Sequence, residues 1–274
     1  MNNKLNVLVT AFLALWLVFG VTACSDNSSS SDDDGEDICN SFSLPSELAP
    51  ATIAIEYFDS QNVQDDEEHA VYQQVKTLAT TGSAQLSFGG NAALISSFLQ
   101  FAPGLNIQPE AEGGNCIWNI DFAENFPQFD IDASIRVIAS QSGDRINWQV
   151  LLSGDLEGQQ VDNFLFLEGF TANDQATGEW NGYDPENPDE PSYTYTWDIE
   201  SEEEYQLNLD GYQGGELVLS VNYDKNGVEN NMILTQPGTG TTEIFWNEET
   251  DSGWIEPEGG DRMCYTDFLN SACS

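Results

Sequence analysis

Positive charge is what this chain has least of. Six lysines and arginines stand against 47 aspartates and glutamates, a formal charge of −41. Nucleic acids are bound by clustered Lys and Arg that displace counterions, so a nucleic-acid partner is excluded. The same field disfavours anionic substrates and direct adhesion to acidic lipid. Histidine is nearly missing too. His69 stands alone in the run Asp65-Asp66-Glu67-Glu68-His69, and no G-x-S-x-G elbow accompanies it. It reads as a solvated surface residue rather than half of a nucleophile–base pair. No CxxC unit occurs, which removes the common zinc and thiol-redox spacings. The tryptophans at 118, 148, 180, 197 and 246 follow no fixed period, so a propeller is disfavoured.

What is present begins with an apolar leader. Lys4 is the single charge before a hydrophobic run from Val7 to Phe19, and Val21-Thr22-Ala23-Cys24 follows it. A charged start, a short apolar run and a small-residue cut site make an export signal. The run is also long enough for an uncleaved membrane helix to be weighed. Ala23-Cys24, followed at once by polar sequence, favours cleavage. This stretch resembles the lipobox of bacterial lipoproteins. That resemblance implies a diacylglyceryl thioether on Cys24, a further chain such as palmitate on the new amino terminus, and stable anchoring, which needs two or more chains. It also implies the outer membrane, because Ser25 stands where an inner-membrane retention signal has Asp. Asp26 and Asp32-Asp33-Asp34 leave the periplasmic face and the cell surface both open.

The chain is therefore expected to divide into a signal peptide at 1–23, an acidic Ser/Asp-rich tether at 24–38 and a single domain at 39–274. The tether has nothing to bury, so it reads as a flexible spacer. Loss of the leader removes Lys4 and no acid, leaving five cations against 47 acids, or −42. Such a surface suits salty surroundings, where screening relieves self-repulsion. With Cys24 assigned to lipid, Cys39, Cys116, Cys264 and Cys273 form an even set in an oxidising compartment. Of three pairings, Cys39–Cys116 with Cys264–Cys273 closes the shorter loops. The rival clasps Cys39 to one of the last two.

Alternation dominates the domain. Ile53/Ile55/Tyr57, Cys116/Trp118/Ile120/Phe122, Ile131 to Ala139, Ile146/Trp148/Val150/Leu152, Phe164/Phe166, Tyr193/Tyr195/Trp197/Ile199, Tyr205/Leu207/Leu209, Leu217/Leu219/Val221/Tyr223 and Ile244/Trp246 each share one side of a strand. Turns are marked by Ser142-Gly143-Asp144, Gly214-Gly215, Asp224-Lys225-Asn226-Gly227 and Pro237-Gly238. Asp65 or Asp66 caps a helix carrying Val71, Val75 and Leu78, and a second helix is expected from Asn91 to about Phe101, before Pro103. The fold class is mainly β: an antiparallel meander forming a curved sheet, half-barrel or barrel-like domain with one or two short helices. This outline resembles lipid-carrier half-barrels and lipocalin-like barrels, in architecture only.

Chemistry is sparse. Carboxylate-only glycoside hydrolysis needs two acids held across a sugar bond, a separation that sequence does not display. For metals the weak calcium candidates are Asp184, Glu186 and Asp189, in a proline-bounded loop without the spacing of a calcium-wrapping loop. Trp180, Tyr183 and Trp254 lie near turns, where exposed rings suit stacking on sugars and buried ones cap a core. The expectation is a non-enzymatic cell-envelope lipoprotein, binding or scaffolding. It holds an apolar or glycan ligand inside the sheet, or meets envelope protein partners through its surface. A carboxylate-dependent hydrolase is the remaining alternative. An enclosed apolar cavity supports the carrier, and a filled core with an exposed aromatic strip supports the surface module.

Overall fold

Two-residue turns that demand positive φ set the hairpins. Gly214 and Gly215 have φ of 59° and 75°, the pair of left-handed conformations that a type I′ turn requires and that glycine adopts without a Cβ penalty. A computed structural model describes residues 39, 42, 51–87, 107–125, 133–156 and 159–273. Its strands are β1 (Glu110–Glu112), β2 (Asn115–Asp121), β3 (Ala133–Ser142), β4 (Arg145–Leu156), β5 (Gln159–Ala172), β6 (Thr177–Asp184) and β7 (Asn187–Ser201). They continue as β8 (Glu204–Gln213), β9 (Glu216–Asn226), β10 (Glu229–Gln236), β11 (Gly240–Asn247), β12 (Ser252–Pro257), β13 (Met263–Thr266) and β14 (Leu269–Ser271). All 14 lie in sequence order in one antiparallel sheet, curved and unclosed. Helices α1 (Glu56–Ser60), α2 (Ala70–Ser87) and α3 (Phe122–Asn125) complete the described elements, with a 3-10 turn at Glu67–His69.

One face of the sheet, here called inner, holds the core. Trp118 and Ile120 on β2, Val137 on β3, Trp148 and Val150 on β4, Trp180 on β6, Leu207 on β8, Val221 on β9, Met232 on β10 and Trp246 on β11 are all buried. Helix α2 lies across β9 and β11 to β14 on this face, where its Tyr72 meets Tyr265 edge-on at 5.5 Å. Its start is built as read from the sequence: the Asp66 side chain accepts from the amides of Glu68 and His69, satisfying donors that a helix start leaves open.

The curvature has a steric counterpart. Gly169 faces Trp180, Gly178 faces Trp197, Gly182 faces Tyr193 and Gly253 faces Tyr265 across neighbouring strands. In each pair the ring lies over the glycine, so that a Cβ there would overlap it. Rings thus occupy space that side chains on the next strand would otherwise fill, an arrangement known to support glycine in strands. Neighbouring rings join into a seam, with Trp180–Trp197 centroids at 6.3 Å and Tyr223–Trp246 at 5.9 Å.

Several expectations are corrected. Ile53, Ile55 and Tyr57 do not form a strand: Tyr57 and Phe58 are consecutive and both buried, which alternation forbids and the single turn of α1 permits. The backbone there is satisfied by tyrosines, since Tyr205 donates to Thr52 O at 2.7 Å and Ala54 N donates to the Tyr223 hydroxyl at 3.2 Å. Phe122 leaves β2 to begin α3. Leu217 is exposed because the register shifts at Gly211/Tyr212. The helix expected at Asn91 to Phe101 lies outside the described residues, as do Ile131, the leader, Cys24 and the tether. The disulfides are Cys39–Cys116 and Cys264–Cys273, with Cα separations of 5.3 and 5.2 Å. At the sheet's edges, β1 presents Glu110 and Glu112, and β14 is held by Asn270, which donates to Glu67 O at 2.7 Å and accepts from Val71 N at 3.0 Å.

Candidate functional site

The outer face inverts the composition of the core. Strand register places Asn115, Ser140, Asn147, Phe170, Glu179, Thr196, Asn208 and Asn222 in one row crossing β2 to β9. The next row over the same strands runs Ile117, Ile138, Gln149, Glu168, Asn181, Thr194, Asp210 and Ser220. Adjacent strands are about 4.8 Å apart, so each row repeats at that spacing, with amides, hydroxyls and carboxylates at most positions and Phe170 in the first row and Ile117 and Ile138 in the second as its apolar members.

Over β5 to β9 these groups are locked to one another. Tyr183 Oη donates to Glu168 Oε1 at 2.6 Å, Asn181 Nδ2 to Glu179 Oε1 at 2.9 Å, and Thr194 Oγ1 to Asn181 Oδ1 at 2.8 Å. Asn208 donates to Thr196 and Asn222 to Ser220, at 3.2 and 3.1 Å. Burial first, and then the Glu168 carboxylate, push the Tyr183 phenol up to about 12. Over β2 to β4 the pattern changes. Asn147 and Gln149 are exposed, and their amides face an open hollow of about 440 Å³. It spans β2 to β6 between the two rows, and Glu168 is its one acidic lining residue. A second hollow of about 410 Å³ lies nearby on the same face, lined by Asn119, Ser134, Arg136 and Asn163, with Asp121 its single acid. Both are open to solvent and predominantly polar in their lining.

The scarce cations serve structure. Arg136 pairs with Glu112 at 3.3 Å and Arg262 with Glu256 at 2.6 Å. Arg262 also covers Trp254 at 3.8 Å, and Arg145 covers Phe170 at 4.3 Å, contacts in which the ring quadrupole attracts the guanidinium. Lys225 reaches Glu248 at 3.2 Å, and Lys76 donates to Phe58 O at 3.0 Å.

Against this geometry the sequence candidates fare unevenly. Trp180 is a core residue on the inner face, Tyr183 is tied to Glu168, and Trp254 is sandwiched between Arg262 and Phe245, whose ring stacks on it at 5.9 Å. Burial at Trp180 and the Arg262 and Phe245 contacts at Trp254 leave neither ring bare for a sugar, and the hydroxyl of Tyr183 is already engaged. His69 is half-buried rather than fully solvated, with Nδ1 at 2.6 Å from Asp66 Oδ1; this bond holds the Asp66 carboxyl below the usual carboxylate range. Of the calcium candidates, Asp184 accepts the Glu186 amide at 2.8 Å in a turn. Among the described residues no group of three or more His, Cys, Asp or Glu is placed to hold a metal ion. Cys39, Cys116, Cys264 and Cys273 are consumed in disulfides. The polar hollow was missed because its residues lie on different strands, and only the register brings them together. No family profile, curated protein or solved structure matches this chain.

Proposed function

We propose that this is a non-enzymatic lipoprotein of the bacterial cell envelope, a binding or scaffolding module held at the outer membrane by acylated Cys24 and an acidic tether. The observation that carries the binding half is the division between faces. The inner face is occupied by buried Trp, Tyr, Leu and Val side chains, and the outer face presents ordered donors and acceptors around an open hollow. A carrier of apolar ligands needs enclosed apolar space, and the described inner-face positions are taken by these side chains. Hydrolysis by paired carboxyls needs two acids facing one bond, and each hollow has one acidic lining residue. The anchoring half rests on the lipobox resemblance. Its test is intact-mass measurement of the full chain made in a bacterial host and extracted in detergent. The expected species begins at Cys24 and carries acyl chains, and Cys24→Ala abolishes them. A native protein that keeps its leader, or begins elsewhere with a free thiol, refutes the anchor.

A further inference from the structure

The geometry points to a specific ligand class for the outer face: an uncharged, extended polysaccharide lying across the strands in the trough between the two rows. This deepens the binding-module reading and rests on it.

Four observations lead there. The trough runs perpendicular to β2 to β6, five strands that together span about 19 Å at ordinary strand spacing. That is room for roughly four to five sugar rings, one per strand, with Asn115, Ser140, Asn147 and Gln149, Glu168 and Asn181 met in turn along the hollow. Secondly, the exposed lining is amide: Asn147 and Gln149 each carry a donor and an acceptor at the hollow, as does the Ser140 hydroxyl beside them. Vicinal sugar hydroxyls also donate and accept at once, and primary amides meet both demands with one side chain. Thirdly, the far wall is pre-organised. Glu168 is fixed by Tyr183, and Asn181 is held between Glu179 and Thr194, so ligand ordering does not also have to order the protein. Finally, charge sets the class. Glu168 and Glu179 stand on these rows of a chain carrying −41, which repels uronates and sulfated polymers. The trough lies on the pleated face rather than at an edge, so a peptide adding as a strand has no free ladder to join there.

Calorimetric titration of the mature chain with neutral β-linked oligosaccharides of two to eight units tests the assignment, with a uronate polymer and an extended peptide alongside. Affinity is expected to rise with length to about five units, the number of strands spanned, and then level off. The double substitution Asn147→Ala/Gln149→Ala removes two neutral hydrogen bonds and weakens binding about tenfold or more. Gln206→Ala, outside the hollow, leaves it unchanged. Both altered residues are exposed, and an unaltered melting curve confirms that the variant is folded. If oligosaccharides bind equally well to the double variant, the trough is the wrong site while the binding-module reading stands. Preference for the uronate or the peptide overturns the ligand class. If no neutral oligosaccharide binds at millimolar concentration, the inference falls, and native mass spectrometry of host-purified protein then decides the broader reading by the presence or absence of another ligand.

Discussion

Substituting Gly178 by alanine isolates the ring-over-glycine packing from every other contribution. Gly178 does not have positive φ, so alanine meets no backbone penalty, but its Cβ would fall within the Trp197 ring. That ring cannot tilt aside freely. It is 4 % exposed, its Nε1 donates to Gln175 O at 2.9 Å, and it packs against Trp180 and Tyr195 with centroids at 6.3 and 5.7 Å. Forcing a methyl into a filled core costs about 1–3 kcal/mol, and the tethered ring puts this site near the upper end. For a domain of this size that is a fall in Tm of roughly 4–12 °C, at 2–4 °C per kcal/mol. Trp197→Ala alone leaves a cavity and costs about 3–5 kcal/mol. With the ring gone the new methyl has space, so Gly178→Ala becomes nearly neutral in that background. The double variant is then less destabilised than the sum by about 2–3 kcal/mol, nearly the whole cost of Gly178→Ala. Thermal or urea unfolding of the four proteins measures this coupling. Additive effects, or an unshifted Gly178→Ala midpoint, refute the claim that ring and glycine occupy one another's space.

Three further outcomes are expected. Under dithiothreitol, Cys264–Cys273 reduces before Cys39–Cys116, because Cys273 is exposed whereas Cys116 and Cys39 are 0 % and 5 % exposed; mass-mapped alkylation over time gives the order. Loop closure makes the Cys39–Cys116 link, with its sequence separation of 77, worth about 4–5 kcal/mol, and the other, separated by 9, about 2–3 kcal/mol. In alkaline titration followed at the phenolate band, Tyr72 and Tyr183 ionise near 12 and Tyr57, Tyr193, Tyr195, Tyr223 and Tyr265 resist still further, burial being the first cause in each. Since each phenol is easier to ionise in the unfolded chain, near 10, the associated stability is full below pH 10 and is lost as pH climbs through 12 and beyond; ordinary tyrosine titration at pH 10 in the folded protein would contradict this. Unfolding free energy should rise between 0.1 and about 1 M NaCl as the Debye length shrinks from about 10 to 3 Å, and equal stability at both would remove the self-repulsion argument.

The meander was legible along most strands whose inner-face positions hold large side chains, although Met232 and Leu234 of β10 were not read as a strand. Trp118/Ile120, Val137/Ala139, Tyr195/Trp197 and Leu207/Leu209 alternate in sequence and are buried together. It was illegible where that position is glycine. Strand β6 has Gly178, Trp180 and Gly182 facing inward, so two of three core signals are absent from it and supplied instead by Trp197 and Tyr193 of β7. Strand β12 escapes notice similarly, with Gly253 inward beneath Tyr265. Bulges blur others: β5 was read through Phe164 and Phe166, but the shifts between Val150/Leu151 and Leu152/Gly154 break simple periodicity along it, so that Phe166 and Leu167 are both buried. The disulfide pairing followed from loop length. The polar trough could not follow from any local pattern, because Asn147, Gln149, Glu168 and Asn181 look like ordinary solvent-facing residues until pairing aligns them.

The position of α2 bears on when the domain can form. Its partners β9 and β11 to β14 are the last strands of the chain, and the bond between Val71 N and Asn270 joins residues 199 apart. The strands themselves pair only with their neighbours in sequence, but the helix has nowhere to dock until the final hairpins exist, so its contacts are the ones that close last. For the exported chain proposed above, late docking of α2 would keep the polypeptide open for longer while it crosses the membrane.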